Sequence, residues 1–222
     1  PDEEISTIVT MKDYTDQQYI FMSTANGTVK KCKTTEFVNA KTRGVIGIKL
    51  HDGDHLVSAM LTSGNDDAML ITRKGQALRV SEESVRPMGR ASSGVTGIRL
   101  ASGDEVAAAI SVEQNKDALV ITEKGYGKRV GFDEFGKHGR GTGGQKIFGN
   151  IEGKGEIIGA IAVSETDEVI CMSGQGKTLR VSAAMISKQG RASSGTRIIN
   201  IDEPDYVVGF DKVANEDEKD KE

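Results

Sequence analysis

The chain has 222 residues and a formal net charge of −4; 36% of its residues are hydrophobic, 5% are aromatic, and none is tryptophan. Its two cysteines, Cys32 and Cys171, form no C-x-x-C pair, which argues against a disulfide framework or a zinc site. With no long apolar run and no signal peptide, a cytoplasmic protein without a membrane partner is expected.

The negative charge is concentrated at the two ends of the chain. Asp2, Glu3 and Glu4 stand at the start, and residues 214–222 contain five acids and two lysines, so residues 5–213 carry a net charge of +2. An acidic segment of this kind predicts a disordered tail over 214–222. The body of the chain is therefore mildly basic.

Residues 4–11 (EISTIVTM) predict a strand that belongs to a preceding structural unit. Four repeats of about 50 residues follow, at 19–66, 67–116, 117–167 and 168–213. Each repeat contains a short apolar run, a threonine or serine, and three residues later an anchor glycine. This order predicts a β-hairpin that turns at the glycine. The anchor glycines are Gly27, Gly75, Gly125 and Gly176.

Alternation in the second strand of each hairpin predicts which side chains face the core. Cys32, Val80, Val130 and Val181 stand five residues after the anchor glycines and are predicted to face inward. A basic residue stands one position earlier in all four repeats and is predicted to face outward. These hairpin cations are Lys31, Arg79, Arg129 and Arg180.

A glycine-rich loop follows each hairpin and carries one arginine. It reads GRASSG at 89–94 and 190–195 and GRGTGG at 139–144. The arginines are Arg43, Arg90, Arg140 and Arg191. Small neighbouring residues would let backbone amides approach an anion beside the guanidinium. Two further strands complete each repeat, so the sequence predicts an all-β, propeller-like fold of about four four-stranded blades plus part of a preceding blade.

The recurring cations predict an ordered track for a regular polyanion, namely duplex DNA. The proposed contacts are the hairpin cations, the four loop arginines, and the adjacent Lys30, Lys128 and Lys177. Eight contacts from the hairpin cations and loop arginines predict a log–log salt slope of roughly −7. Few aromatic residues lie near these positions, Tyr126 being the main one, which disfavours single-strand binding. Reversing Arg79, Arg129 and Arg180 to glutamate is expected to weaken DNA binding and leave the fold intact.

Other chemistry is weakly supported. GRGTGG satisfies the dinucleotide pattern G-x-G-x-x-G, but no helical pattern follows it. HDGDH at 51–55 occupies a slot that reads SGDE and KGEI in other repeats, so it is interpreted as a turn and not a metal site. The loop serines have no repeated histidine or acid partner for nucleophilic catalysis. No catalytic residue, metal or cofactor is therefore predicted in this chain.

ANGTVKK (25–31), VRPMGRASSGVTGIRL (85–100) and EKGYGKRV (123–130) resemble the C-terminal domain of the DNA gyrase A protein. The resemblance implies a β-pinwheel, usually of six blades, that wraps duplex DNA for ATP-dependent negative supercoiling. It implies that ATP and Mg are used by other parts of an A2B2 holoenzyme, in which the partners are the remainder of gyrase A, and gyrase B. The family's heptapeptide Q-R-R-G-G-x-G is absent here, which leaves open the related protein of topoisomerase IV. A propeller used as a protein-interaction scaffold is a further alternative.

Overall fold

Four β-hairpins, one per repeat, organise the computed structural model, which describes residues 5–40 and 44–214. Each hairpin turns at its anchor glycine, whose φ lies between +78° and +85°. The hydroxyl three residues earlier accepts the N–H of the residue after the glycine, at 3.1–3.3 Å. The sequence motif is therefore a turn that closes itself. The hairpins are β1 (Tyr19–Thr24) with β2 (Thr28–Lys33), β4 (Asp67–Thr72) with β5 (Gln76–Ser81), β8 (Asp117–Thr122) with β9 (Tyr126–Gly131), and β12 (Glu168–Ser173) with β13 (Thr178–Ser182).

The last strand of each repeat pairs antiparallel with the first strand of its own hairpin, as Met69 does with Ile110. Each pairing shifts register at one end, which marks an irregularity near the hairpin turn. These last strands are β3 (Leu56–Thr62), β7 (Val106–Ser111), β11 (Ile157–Val163) and β15 (Val207–Lys212).

The third predicted strand of a repeat leaves its own blade and joins the sheet of the preceding repeat. Only two residues of each form a strand: β6 (Val95–Thr96), β10 (Gln145–Lys146) and β14 (Thr196–Arg197). The sheets have the orders β3-β1-β2-β6, β10-β5-β4-β7 and β11-β8-β9-β14, and a three-stranded sheet has the order β13-β12-β15. This exchange of a strand between neighbouring repeats agrees with the predicted all-β, propeller-like fold. The corresponding residues of the first repeat, 44–50, form no strand.

Short helical turns follow the second hairpin strands. Among residues 5–40 and 44–214, four 3₁₀ turns do so, at Thr34–Phe37, Glu82–Ser84, Phe132–Glu134 and Ala183–Met185. One α-helical turn, α1 (Ile151–Lys154), lies instead between β10 and β11. None of the helices in the described part of the chain has the length and apolar character needed to cross a membrane.

The chain divides into two compact units. The first contains the residues up to Thr72 together with Gln76–Val112 and Gly136–Gln145, and the second contains Arg73–Gly75, Glu113–Phe135 and the residues from Lys146 onward. The larger core cluster of the first unit is centred on Phe21, Leu70, Leu78, Val80 and Ile98, and a smaller one contains Ile20, Met22 and Cys32. The core cluster of the second unit includes Leu119, Ile121, Val169, Cys171 and Ile199.

The predicted inward positions are confirmed for Cys32, Val80 and Val130, which have no exposed surface. Val181 is half-buried and packs against the core cluster of the second unit. Both cysteines are free and buried.

Residues 5–11 form no strand with the rest of residues 5–40 and 44–214. The sequence predicted a strand here whose partners belong to a preceding structural unit, and this stays a prediction. Residues 215–222 of the predicted acidic tail lie outside the described residues.

Candidate nucleic-acid interface

The hairpin cations form internal ion pairs. Arg79 Nη2 lies 2.9 Å from Asp67 Oδ2, Arg129 Nη1 lies 3.1 Å from Asp117 Oδ2, and Arg180 Nε lies 2.6 Å from Glu168 Oε2. In each case the acid is the first residue of the first hairpin strand, twelve residues before the arginine. The cation and its acid are therefore diagonal cross-strand neighbours, and this arrangement recurs with the repeat.

The first repeat has Tyr19 where the others have an acid, and Lys31 finds different partners. Its Nζ lies 4.9 Å from the centroid of the Tyr19 ring. It also donates to the Glu82 carbonyl oxygen at 2.9 Å and lies 3.5 Å from Glu82 Oε2. The buried Glu82 carboxylate accepts three more hydrogen bonds, from Thr62 Oγ1 and the amides of Gly64 and Asp66, each at 2.8 Å. The carboxylate of this buried charge pair is thus hydrogen-bonded through both of its oxygens.

The prediction that the hairpin cations face outward is wrong for Lys31 and Arg129. Their side chains are 4% and 5% exposed, against 23% for Arg79 and 62% for Arg180. The physical reason is that β2, β5 and β9 are interior strands of four-stranded sheets and are covered on both faces, so alternation does not separate core from solvent. Arg180 is exposed because β13 is an edge strand of the sheet that the structure describes.

The prediction of a basic rim is also wrong for Lys30 and Lys128, because both side chains are completely buried. Their Nζ atoms bind loop carbonyl oxygens and do not reach solvent. Lys177 is exposed, and its Nζ donates to the carbonyl oxygen of Asn200.

The loop arginines lie nearer the surface. Arg140 is exposed, and its guanidinium donates to the carbonyl oxygens of Ser84 at 3.1 Å and Thr96 at 3.3 Å. Arg90 is half-buried and donates to the Ile46 carbonyl oxygen at 3.3 Å. Arg191 is half-buried, and its backbone N–H donates to Glu134 Oε2 at 2.8 Å. Arg43 lies outside the described residues.

Packing explains why the glycine loop recurs. A Cβ on its last glycine would lie 2.6 Å from the Val29 carbonyl oxygen at Gly94, 2.7 Å from that of Ala77 at Gly144, and 2.8 Å from that of Gly127 at Gly195. All three glycines have positive φ. The loop must therefore end on glycine to approach the second strand of the preceding hairpin.

The loop backbone serves packing more than the anion binding that the sequence suggested. The amides of Ser92 and Ser193 close the turn on the first glycine of each loop, both at 3.1 Å. The hydroxyl groups of Ser92, Thr142 and Ser193 donate to the same glycine carbonyls. The amides of Ser92 and Ser193 are consequently not available to an anion.

Sequence reasoning missed two further sets of exposed cations. Loop lysines Lys137 and Lys188 are about half exposed and bind Asp67 and Asp117 at 2.7 and 2.8 Å, so each of these acids joins two cations. The hydrogen bond that Lys188 donates to Asp117 raises the pKa of Lys188. Arg86 is the exposed basic residue of the corresponding loop in the second repeat. The signal was a second basic residue three or four positions before Arg90, Arg140 and Arg191.

The other missed set, the third-strand cations, supplies one exposed basic residue per repeat. Its members are Lys49, Arg99, Lys146 and Arg197. The backbone N–H of Lys49 donates to the Ser92 carbonyl oxygen at 3.0 Å, and the backbone N–H of Arg99 donates to the Thr142 carbonyl oxygen at 2.9 Å. These bonds place the segment that contains Lys49 or Arg99 directly against the loop of the next repeat.

Tyr126 lies among cations. Lys154 Nζ stands 3.7 Å from its ring centroid, the Arg197 guanidinium carbon stands 4.8 Å from it, and Arg197 Nη2 donates to the phenolic oxygen at 2.6 Å. That hydrogen bond lowers the pKa of Tyr126. The ring is therefore engaged in cation–π contacts within the chain.

In the described part of the chain, no group of three or more His, Cys, Asp or Glu side chains is arranged to hold a metal ion. The GRGTGG loop leads into β10 and not into a helix, which removes the structural context of a dinucleotide site.

Comparison with known proteins identifies the family. The family model "DNA gyrase C-terminal domain, beta-propeller" matches residues 18–63, 66–113, 116–164 and 167–214. The chain is 64% identical over 94% of its length to the DNA gyrase A protein of Treponema pallidum, and 36% identical over 98% to that of Mycolicibacterium smegmatis. It spans about a quarter of those proteins, 26% in each case.

Solved structures give the same result. A DNA gyrase A C-terminal domain superposes with a TM-score of 0.84 at 33% identity, covering 92% of this chain and 68% of that one. A C-terminal domain of DNA topoisomerase IV superposes with a TM-score of 0.85 at 25% identity, covering 91% and 64%. With its repeats matched along nearly the whole sequence and its blades built by strand exchange, the chain belongs to the DNA gyrase C-terminal domain family of β-propellers.

Proposed function

We propose that this chain binds and bends duplex DNA without sequence preference, as the DNA-wrapping part of a gyrase A protein. The observation that carries the proposal is that cations recur on the loops and among the third-strand cations defined above. The backbones of these two kinds of segment hydrogen-bond to each other. Within the first unit, Lys49 lies beside the loop of Arg90, and Arg99 lies beside the loop of Arg140. Phosphates that repeat along a duplex suit cations that recur once per repeat.

The proposed contact surface replaces most of the hairpin cations with residues that the structure leaves accessible. It comprises the loop cations Arg86, Arg90, Lys137, Arg140, Lys188 and Arg191, the third-strand cations Lys49, Arg99, Lys146 and Arg197, and at the end of the repeat series Lys177 and Arg180. The first ten of these, if all met phosphates, would give a log–log salt slope of roughly −9. Arg43 remains a candidate from the sequence alone.

No helix longer than four residues is available for a major groove within residues 5–40 and 44–214, which supports binding by backbone contact and DNA shape. Bending a site of 20–30 base pairs costs on the order of 1–6 kcal/mol, which several phosphate contacts offset. The chain itself is proposed to carry no catalysis. ATP, Mg and strand cleavage would be supplied by the remainder of gyrase A, together with gyrase B, in an A2B2 holoenzyme at the bacterial nucleoid.

The test is a titration of random-sequence duplex DNA at several salt concentrations. The wild-type chain should lose affinity steeply with salt and be indifferent to sequence. The variant R90A/R140A/R191A should bind more weakly and flatten the slope by up to about three units. The control K33A/K116A/K212A removes the same charge outside the proposed surface. Equal losses in the two triple variants would contradict the proposed surface.

The corresponding protein of topoisomerase IV is a second candidate, because the topoisomerase IV domain superposes as closely as the gyrase domain. A supercoiling assay with the full-length protein and its partner separates the two. Negative supercoiling of relaxed plasmid with ATP supports gyrase, whereas decatenation without negative supercoiling supports topoisomerase IV.

A further inference from the structure

Two completely buried lysines bind the two identical loops of the chain. Lys128 Nζ donates to the carbonyl oxygens of Gly190 at 2.7 Å, Arg191 at 2.9 Å and Ser193 at 3.0 Å, and lies 3.0 Å from Ser193 Oγ. Both faces of its strand are covered, and its exposure is 0%. An ammonium group has three donors, so these oxygens satisfy it without water.

Lys30 repeats this arrangement in the first unit. Its Nζ donates to the carbonyl oxygens of Arg90, of Ser92 at 2.9 Å and of Gly47 at 2.9 Å, again with 0% exposure. In both cases one of the bound carbonyls belongs to the loop arginine itself. The ammonium therefore acts on the backbone of the residue that presents its charge at the surface.

The sequence of the loop differs with the residue that stands three positions after the anchor glycine of the preceding hairpin. Lys30 and Lys128 stand three residues after their anchor glycines, and each binds a loop that reads GRASSG. The second repeat has Leu78 at this position, and the corresponding loop reads GRGTGG. There the guanidinium of Arg140 donates to the carbonyl oxygens of Ser84 and Thr96, which lie outside the loop.

We propose that Lys30 and Lys128 are positioning residues for DNA binding, each gathering the carbonyls of a GRASSG loop and thereby holding Arg90 or Arg191 toward the phosphates. The inference rests on the proposed function. The repeated GRASSG sequence then serves to bind the lysine, and the guanidinium of the loop arginine contacts DNA. Burial lowers the pKa of Lys128 to about 8, so the amine remains mostly protonated at neutral pH.

The contact between each buried lysine and its GRASSG loop is called the clamp. The reciprocal variants K30L and K128L test the clamp without DNA. Leucine is the residue that the second repeat carries at this position, and K124L, which removes an exposed lysine, is the control. K128L should raise the rate of tryptic cleavage after Arg191 about tenfold or more and leave cleavage after Arg90 unchanged, because the buried carbonyls lose a charged donor. K30L should do the reverse. Unchanged rates at both arginines would overturn the clamp.

DNA titration then tests the positioning role. K128L and R191A should weaken binding to similar extents, and K128L/R191A should be no worse than R191A. Loss in R191A with none in K128L overturns this inference and leaves the proposed function standing. No loss in R191A overturns the DNA contact at that loop and the positioning role with it.

A measurement on the wild-type chain covers the case in which K128L does not fold. With lysine ¹⁵N-labelled at Nζ, the ammonium protons of Lys30 and Lys128 should exchange slowly enough to be observed at neutral pH. Exchange as fast as that of the surface lysines would overturn the clamp.

Discussion

Arg129 and Arg180 occupy the same position in two hairpins, and the structure predicts that removing them has very different effects. Arg129→Met removes a buried guanidinium that donates to Ile186 O at 2.9 Å and to Asp117 Oδ2 at 3.1 Å. Arg180→Met removes a largely exposed group paired with the half-exposed Glu168. The methionine retains much of the aliphatic stem in both variants.

The loss at Arg129 can be estimated from the partners left behind. Breaking a buried ion pair from one side costs about 3–5 kcal/mol, because the remaining charge is buried and uncompensated. Lys188 still lies 2.8 Å from Asp117 Oδ1, so we expect the low end of that range, about 3 kcal/mol. An exposed pair such as Arg180–Glu168 contributes about 0–1 kcal/mol. For a chain of this size, 1 kcal/mol corresponds to roughly 2–4 °C in Tm.

Thermal and urea unfolding, followed by far-ultraviolet circular dichroism, measure both variants against the wild type. We expect R129M to melt roughly 6–12 °C lower and R180M to stay within about 4 °C. The glutamate variant R129E should be less stable still, which corrects the expectation that charge reversal at this position leaves the fold intact. Equal Tm values for R129M and R180M would refute the assignment of Arg129 to the buried ion pair.

Three further predictions follow from single contacts. Gly94→Ala should destabilise the chain by about 1 kcal/mol or more in the same unfolding assay, because φ is +93° and the new Cβ would lie 2.6 Å from a carbonyl oxygen. The control Gly89→Ala should be nearly neutral, because its new Cβ meets nothing within 4 Å. Lys128 has a folded pKa of about 8 against an ordinary 10.5, so the unfolded chain holds more protons between these values. The free energy of unfolding of the wild type, relative to K128M, should therefore rise from pH 8 to 10.5; a fall would show that the bound oxygens hold the pKa above 10.5. Burial raises the pKa of Cys32 and that of Cys171, the latter to about 11. Neither thiol should therefore react with a maleimide at pH 8 until denaturant is added. Rapid labelling of the native chain would contradict their burial.

Much of the fold was predictable because it depends on local chemistry. Each of the four anchor glycines, with a hydroxyl three residues earlier and a short apolar run before it, makes a hairpin, as the four copies predicted. The length of the third strands was overestimated from the sequence, because the number of residues that pair depends on the neighbouring blade. Only Val95–Thr96, Gln145–Lys146 and Thr196–Arg197 pair, while the following amides bind anchor-glycine carbonyls or the loop of the next repeat.

The candidate surface was predicted less well, and the reason is visible in the arginines. The amino-acid order alone was enough to establish the repeat, the hairpins, the family resemblance and the recurrence of basic residues. It could not establish which of them reach solvent, because Arg129 is buried by strands on either side and neutralised by Asp117, and Lys128 by a loop more than sixty residues away. Which cations are free to meet DNA depends on how the chain packs, since packing covers both faces of the second hairpin strands and leaves the loops and third strands exposed.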